Sequence, residues 1–75
     1  MPLTLMINGQ PREFGELQPL ATVAQLVAVM ELKGDRIAIE LNHEIAQRVH
    51  WEQIQLNAGD RLEIVHFVGG GGQTW

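Results

Sequence analysis

Residues 22–34, TVAQLVAVMELKG, carry the strongest periodic pattern in the chain. Apolar side chains recur there at i, i+3, i+4 and i+7, which predicts one buried stripe along a helix: Val23, Leu26, Val27 and Met30. Thr22 followed by Gln25 is a capping-box pattern, so we expect the helix to begin after Thr22. Gly34 is predicted to close it, because glycine adopts the left-handed conformation without a Cβ clash. A helix with one apolar stripe needs a second layer to cover it.

The sequence before the helix predicts a β-hairpin. Residues 3–9, LTLMING, alternate in hydropathy, as a half-buried strand does. Its inward side chains are predicted to be Leu3, Leu5 and Ile7. Asn8-Gly9 is a signal for a two-residue hairpin turn. Pro11 has no amide hydrogen to donate, so the second strand, around residues 12–14, is expected to be short and to lie at an edge of the sheet.

The sequence after the helix predicts two further strands with an irregular segment between them. Residues 36–42, RIAIELN, alternate as a third strand, and residues 61–68, RLEIVHFV, form the last one. Between them we expect a short helical turn around residues 48–53 and a brief extended piece at residues 54–56. The inward side chains of the two strands are predicted to be Ile37, Ile39, Leu41, Leu62 and Ile64. The predicted order, β-β-α-β-(β)-β, belongs to the α+β class, with one helix on a small mixed sheet.

Composition and charge exclude several classes of function. The 75 residues make at most one small domain, which leaves no room for a deep catalytic cleft. The net charge is −4 and the five Lys and Arg are scattered, which argues against nucleic acid or an anionic membrane as a partner. No apolar stretch is long enough for a membrane span or a signal peptide, so a cytoplasmic location is expected.

The residue types that usually hold metals are sparse. The chain contains no cysteine, which removes disulfides, thiolate metal sites and thiol chemistry. His43, His50 and His66 share no metal-ligand spacing and are predicted to lie at the surface, so we expect no metal site. Trp51 is interpreted as a packing residue, with the alternative that it anchors a partner.

Four glycines follow the last predicted strand in residues 66–75, HFVGGGGQTW. Because glycine packs poorly in a sheet and loses the most backbone entropy on ordering, we expect a folded domain at residues 1–68 and a flexible tail at residues 69–75. From Phe67 to Gly71 such a tail reaches roughly 13 to 17 Å when extended at about 3.3 to 3.6 Å per residue. Either it delivers an unhindered glycine carboxylate into another protein's active site, or it is a simple linker.

Val65 and Phe67 lie at the base of this tail and alternate with the inward residues of the last strand. If the helix does not cover their side of the sheet, they form an apolar patch for a partner. The alternative is that Phe67 closes the edge of the core. The sequence pattern leaves both interpretations open.

Four segments carry a resemblance to a known family: LMINGQPREF (residues 5–14), TVAQLV (22–27), IAIELNHEIAQRVHW (37–51) and, most specifically, GDRLEIVHFVGGG (59–71). Together they resemble the ubiquitin-like sulfur carriers of the ThiS/MoaD-type β-grasp family, and most closely the sulfur carriers of thiamine (thiazole) biosynthesis. The resemblance implies a β-grasp fold whose C-terminal glycine is the working group.

The resemblance also implies that the chain is a substrate and carrier, not an enzyme. An E1-like adenylating enzyme, to which the ATP and magnesium belong, would convert the glycine carboxylate to an acyl-adenylate. A persulfide sulfur donor, either a cysteine desulfurase or a rhodanese-like protein, would then give a thiocarboxylate, from which thiazole synthase takes the sulfur. The chain itself is expected to bind no cofactor and to be a monomer.

On this resemblance Gly71 is the sulfur-carrying residue, Gly70 precedes it in the tail, and Gly72 is the alternative terminus. Members of the family finish at Gly-Gly, whereas this chain continues through residues 72–75. We therefore expect either that a peptidase trims the tail or that the last residues are an extension peculiar to this chain. The partner-binding residues are expected to be Val65, Phe67, Val68 and Gly69.

Two alternatives to the thiamine assignment stay open. The β-grasp order would also fit a sulfur carrier for molybdopterin or for tRNA thiolation. A function of another class is a non-covalent β-grasp protein-interaction module, which would use Val65, Phe67 and Trp51 as its contact surface and keep its tail intact.

Overall fold

The structure is a computed structural model that describes residues 3–18 and 20–67. In chain order its helix and strands are β1 (Leu3–Ile7), β2 (Gln10–Phe14), α1 (Val23–Val29), β3 (Ile37–Leu41), β4 (Glu44–Ala46) and β5 (Arg61–His66). The described residues form a five-stranded sheet in the order β2-β1-β5-β3-β4. β1 and β5 run parallel, and the other neighbouring pairs run antiparallel. The predicted order of elements and the mixed sheet are confirmed, and β5, the strand that precedes the glycines in the sequence, lies at the centre.

The helix begins where the sequence predicts. The Gln25 amide donates to Thr22 Oγ1 at 3.1 Å, and the Thr22 amide donates to Gln25 Oε1 at 2.8 Å. This reciprocal capping box satisfies backbone amides that the first turn leaves without helical partners. The apolar stripe is buried against the sheet at Val23, Leu26 and Val27, with Met30 partly buried beside it.

The predicted helix end at Gly34 is wrong. The helix ends at Val29, and Glu31 takes the left-handed conformation with φ 58°. The Glu31 amide donates to the Ala28 carbonyl and the Leu32 amide to the Val27 carbonyl, both at 3.1 Å, which is the bonding pattern of a Schellman motif. Gly34 instead begins a 3-10 turn, Gly34–Arg36, three residues further on.

Gly34 serves packing rather than helix termination. A Cβ built at Gly34 would lie 3.1 Å from Cζ3 of Trp51, closer than side chains ordinarily approach. Trp51 is 6% exposed, and its Nε1 donates to the Ala46 carbonyl at 2.8 Å. The indole is therefore part of the core, as the packing interpretation predicts, and the absence of a side chain at Gly34 makes room for it.

The first hairpin is confirmed in detail. Asn8 and Gly9 have φ of 51° and 83°, the positive values that a two-residue hairpin turn requires. β2 lies at the edge of the sheet, which accommodates Pro11, and it is longer than predicted because its pairing begins at Gln10.

The fourth strand lies elsewhere than predicted. It is β4, which follows β3 through a two-residue turn at Asn42 and His43, with φ of 51° and 72°. The piece at residues 54–56 makes one isolated bridge, from Gln55 to Thr22. The predicted helical turn is present as a 3-10 turn at Arg48–His50. No helix of the described residues is long and apolar enough to cross a membrane.

Candidate functional site

The candidate site is the end of β5, where the described part of the chain leads toward the glycines. Leu62 and Ile64 point into the core, as predicted. Val65 and Phe67 lie on the opposite side of the strand and are 57% and 43% exposed. The Phe67 amide donates to the Arg36 carbonyl at 2.8 Å, so β5 is held to its neighbour up to the last described residue. Phe67 therefore lies on the outer face rather than inside the core.

Neighbouring strands extend this outer surface. Ala38 of β3 lies opposite Val65, and Ile45 of β4 lies opposite Glu40. Ile45 is 74% exposed. We call the surface formed by Ala38, Ile45, Val65 and Phe67 the open-face patch. A groove of about 300 Å³ runs across it, and its lining residues are Ala38, Ile39, Glu40, Ile45, Glu63 and Val65.

Ala38 and Glu40 alternate with the predicted inward residues of their strand, so their outward position follows from the sequence pattern, whereas the position of Ile45 on this surface does not. Ile45 is part of β4, which the pattern did not reveal. Alternation in residues 36–42 indicates which side chains of β3 point outward. It does not indicate that β4 pairs with β3 and adds Ile45 to the same surface.

The other predicted site residues fall into three groups: buried, exposed, or outside the described part of the chain. Trp51 is buried, so it is not available as a contact residue for the non-covalent module. His43, His50 and His66 are exposed, as predicted, and residues 3–18 and 20–67 contain no group of three or more potential ligands that could hold a metal ion. Val68 and the glycines Gly69, Gly70, Gly71 and Gly72 lie outside the described residues, as does the predicted boundary between domain and tail. Their roles stay predictions.

Two asparagines, one in the first hairpin turn and one at the end of β3, hold β5 in place through their side chains. The Asn8 side chain pairs with the backbone of Ile64. Asn42 Oδ1 accepts a hydrogen bond from the Arg61 amide at 3.0 Å, and Asn42 Nδ2 donates to Asp60 Oδ1 at 3.1 Å. β5 is thus held near its start and its middle by side chains from the ends of both flanking strands.

The sequence of the chain matches a family model over most of its length. The model of the ThiS family matches residues 5–71. The chain belongs to the ThiS family. The ThiS match includes Gly70 and Gly71 and stops before Gly72.

Known proteins agree with the ThiS assignment. The sulfur carrier protein ThiS of Bacillus subtilis is 33% identical over 67 residues, covering 89% of this chain and 98% of that protein. A crystal structure of a thiamine biosynthesis protein (ThiS) from Geobacter metallireducens superposes with a TM-score of 0.77 at 27% identity, covering 92% of this chain and all of that one. The fold is therefore a ThiS-type β-grasp.

One similar protein is much longer than this ThiS-family chain. The thiazole synthase of Paramagnetospirillum magneticum is 38% identical over 69 residues, which are 92% of this chain. The same stretch is 20% of the thiazole synthase, so this chain spans about a fifth of that protein's length.

Proposed function

We propose that this chain is a sulfur carrier protein for the synthesis of the thiazole of thiamine. The carboxylate of a C-terminal glycine, exposed after removal of residues 72–75, would carry the sulfur. The observation that carries the proposal is the ThiS-family match, which extends through Gly70-Gly71 and ends there. The absence of cysteine agrees with it, because a chain without a thiol needs another group to hold covalent sulfur.

The chemistry requires a second protein to activate the glycine. A carboxylate with a pKa of about 3.3 to 3.7 is ionised at neutral pH and is a poor electrophile. In the proposed sequence the carboxylate of Gly71 attacks the α-phosphorus of ATP on an E1-like adenylating enzyme and releases pyrophosphate. The outer sulfur of a persulfide then attacks the acyl carbon and expels AMP. A second thiol then attacks the donor's sulfur in the resulting acyl disulfide, forms a disulfide with the donor and releases the thiocarboxylate.

The geometry of the described residues suits a carrier. β5 occupies the centre of the sheet and is held by the side chains of Asn8 and Asn42, which supports a role for this strand as the anchor of the glycine segment. The exposed apolar side chains of Val65 and Phe67 lie at the end of the described chain, just before the glycines in the sequence. We propose that the adenylating enzyme grips this side of the sheet, with Val68 and Gly69 continuing the contact, while the glycines enter its active site.

Thiazole synthase is the proposed acceptor of the sulfur. The supporting observation is that a segment similar to 92% of this chain occurs within the Paramagnetospirillum thiazole synthase. Joining the two functions in one polypeptide raises the effective concentration of each for the other. The sulfur donor is proposed to be a cysteine desulfurase or rhodanese-like persulfide protein.

The test compares two forms of the chain with the cognate adenylating enzyme. We expect a form ending at Gly71 to support ATP–pyrophosphate exchange and, with a persulfide source, to gain the mass of one oxygen-to-sulfur replacement. The full-length chain should not, because the carbonyl of Gly71 is then part of an unreactive amide. Gly71→Val in the short form is the control, since a branched side chain should block a channel shaped for glycine without unfolding the domain.

Two results would count against the proposal. Exchange by the full-length chain would refute trimming as a requirement. Failure of exchange by each of the forms ending at Gly70, Gly71 and Gly72 would refute the carrier function itself.

A further inference from the structure

Two glutamates face each other across the open side of the sheet. In the antiparallel pairing of β3 with β5, Glu40 lies directly opposite Glu63. Directly opposed side chains of an antiparallel pair have Cβ atoms about 4.5 to 5.5 Å apart, and like charges at that spacing destabilise the sheet. Both residues are exposed, so the pair is a feature of the surface.

Nothing in the described chain neutralises this pair. Neither carboxylate makes a hydrogen bond or an ion pair with another residue of 3–18 or 20–67. Arg61 lies two residues before Glu63 on the same strand and still does not pair with it. A metal ion is a poor candidate as the missing partner, because these described residues offer no third ligand near the two carboxylates. The charges therefore suit a cationic group from outside.

The groove described above joins the acidic pair to an apolar surface. Glu40 and Glu63 line one part of it, and its apolar lining includes the exposed side chains of Ala38, Ile45 and Val65. The strand register explains this arrangement. Glu40 of β3 lies between Glu63 of β5 and Ile45 of β4. The pair Ala38–Val65 is the next pair on the same face, two residues along the strands. One surface thus offers two carboxylates beside three aliphatic side chains.

An arginine side chain matches this combination. Its planar guanidinium donates to two carboxylates with fixed geometry, and its aliphatic stem packs on apolar surface. Lysine offers the positive charge but not the planar set of N–H donors. The net charge of −4 favours approach of a basic surface from a distance as well.

From these observations we infer that the groove is the docking site for an arginine of the adenylating enzyme, held between Glu40 and Glu63, with an adjoining aliphatic residue of that enzyme over Ala38, Ile45 and Val65. The inference rests on the proposed function in its choice of partner. It goes beyond that function because it gives Glu40 and Glu63 a role in recognising the adenylating enzyme. This role is separate from the chemistry of the C-terminal glycine.

The test measures how the adenylating enzyme responds to loss of the two charges. In the form ending at Gly71, the groove variant is Glu40→Gln with Glu63→Gln. The matched control is Glu13→Gln with Glu16→Gln, which removes two exposed carboxylates that do not line the groove. ATP–pyrophosphate exchange gives the maximal rate and the carrier concentration for half-maximal rate. Calorimetry without ATP gives the dissociation constant, and thermal melting checks the fold.

We expect the groove variant to raise the half-maximal concentration and the dissociation constant at least about tenfold and to keep the maximal rate, because it loses docking and not chemistry. The control should stay within about twofold of the parent, and the groove variant should lose most of the parent's salt dependence. Its melting temperature should equal or exceed that of the parent, since removing the opposed charges relieves repulsion. Weaker binding together with an unchanged or higher melting temperature distinguishes docking from a structural role.

The inference is overturned if the groove variant binds as tightly as the parent, or if the control weakens binding equally. Failure of the proposed function would give a different result: the form ending at Gly71 would bind the adenylating enzyme but would not support ATP–pyrophosphate exchange. In that case the calorimetric comparison of the two variants still decides the docking inference. An adenylating enzyme that does not bind the parent chain at all would overturn both.

Discussion

The side-chain amide of Asn8 pairs with both backbone groups of Ile64. Nδ2 of Asn8 donates to the Ile64 carbonyl at 3.1 Å, and the Ile64 amide donates to Oδ1 at 2.7 Å. The parallel register of β1 with β5 ends at Ile7 and Leu62, just before the chain turns away into the first hairpin. Asn8 therefore continues the ladder with a side chain where the backbone of β1 has left it, and it also accepts the positive φ of the turn.

Replacing Asn8 by glycine should separate these two roles. Glycine keeps the positive φ without strain but removes the amide, so both backbone groups of Ile64 lose their partner. We expect Asn8→Gly to lower the free energy of unfolding by about 1 to 3 kcal/mol, measured by urea denaturation. An unchanged urea midpoint would mean that water replaces the amide without loss.

Adding a methyl group at Gly34 should disturb the packing of Trp51. The new Cβ would lie 3.1 Å from the indole Cζ3, which must shift to admit it. We expect Gly34→Ala to cost about 1 to 3 kcal/mol of stability, as overpacking of a core generally does. Gly15→Ala is the matched control, because a Cβ there meets no atom within 4 Å and φ is not positive. Equal melting temperatures for the two variants would contradict the prediction.

Glycine at position 31 should stabilise the helix end. Glu31 has φ 58°, a conformation that costs L-residues energy and glycine almost none. Glu31→Gly should therefore raise the free energy of unfolding by roughly 0.5 to 1 kcal/mol. Lys33→Gly is the control, because Lys33 has φ −92° and should gain nothing from added freedom. Destabilisation by both variants would show that the left-handed position carries no strain.

Truncation of two neighbouring side chains on β5 should change stability by very different amounts. Ile64 is buried, so Ile64→Ala should cost about 2 to 5 kcal/mol through lost burial and a cavity. Val65 is more than half exposed, so Val65→Ala should change stability by less than about 1 kcal/mol. In the exchange assay, Val65→Ala in the form ending at Gly71 should raise the carrier concentration for half-maximal rate. Full retention of that concentration would remove Val65 from the contact surface.

Sequence reasoning succeeded where one local signal determines one feature. Thr22 with Gln25 located the start of α1, and Asn8-Gly9 located the first turn. Prediction from sequence failed where residues other than glycine take the left-handed conformation. Glu31 ends the helix in a left-handed conformation that glycine usually takes, and Asn42-His43 makes the turn before β4 with no glycine at all.

In the candidate site, too, the features that depend on local sequence could be predicted and those that depend on strand pairing could not. The inward and outward sides of β5 could be predicted from alternation alone, so Val65 and Phe67 were found. Ile45 and the opposition of Glu40 to Glu63 could not, because they depend on which strands become neighbours and in what register. Register is a property of pairs of segments distant in the chain, and alternation within one segment does not contain it.

The central place of β5 has a consequence for synthesis of the protein. A ribosome makes β1 to β4 first, yet β1 and β3 are joined only through β5, the last strand of the described chain. The sheet therefore stays divided until residues 61–66 have emerged, and its closure is a late, long-range event. In the sequence the glycines begin at Gly69, three residues after the end of that strand. An enzyme that grips the sheet face before it accepts the tail would thereby activate completed domains and pass over nascent or misfolded ones.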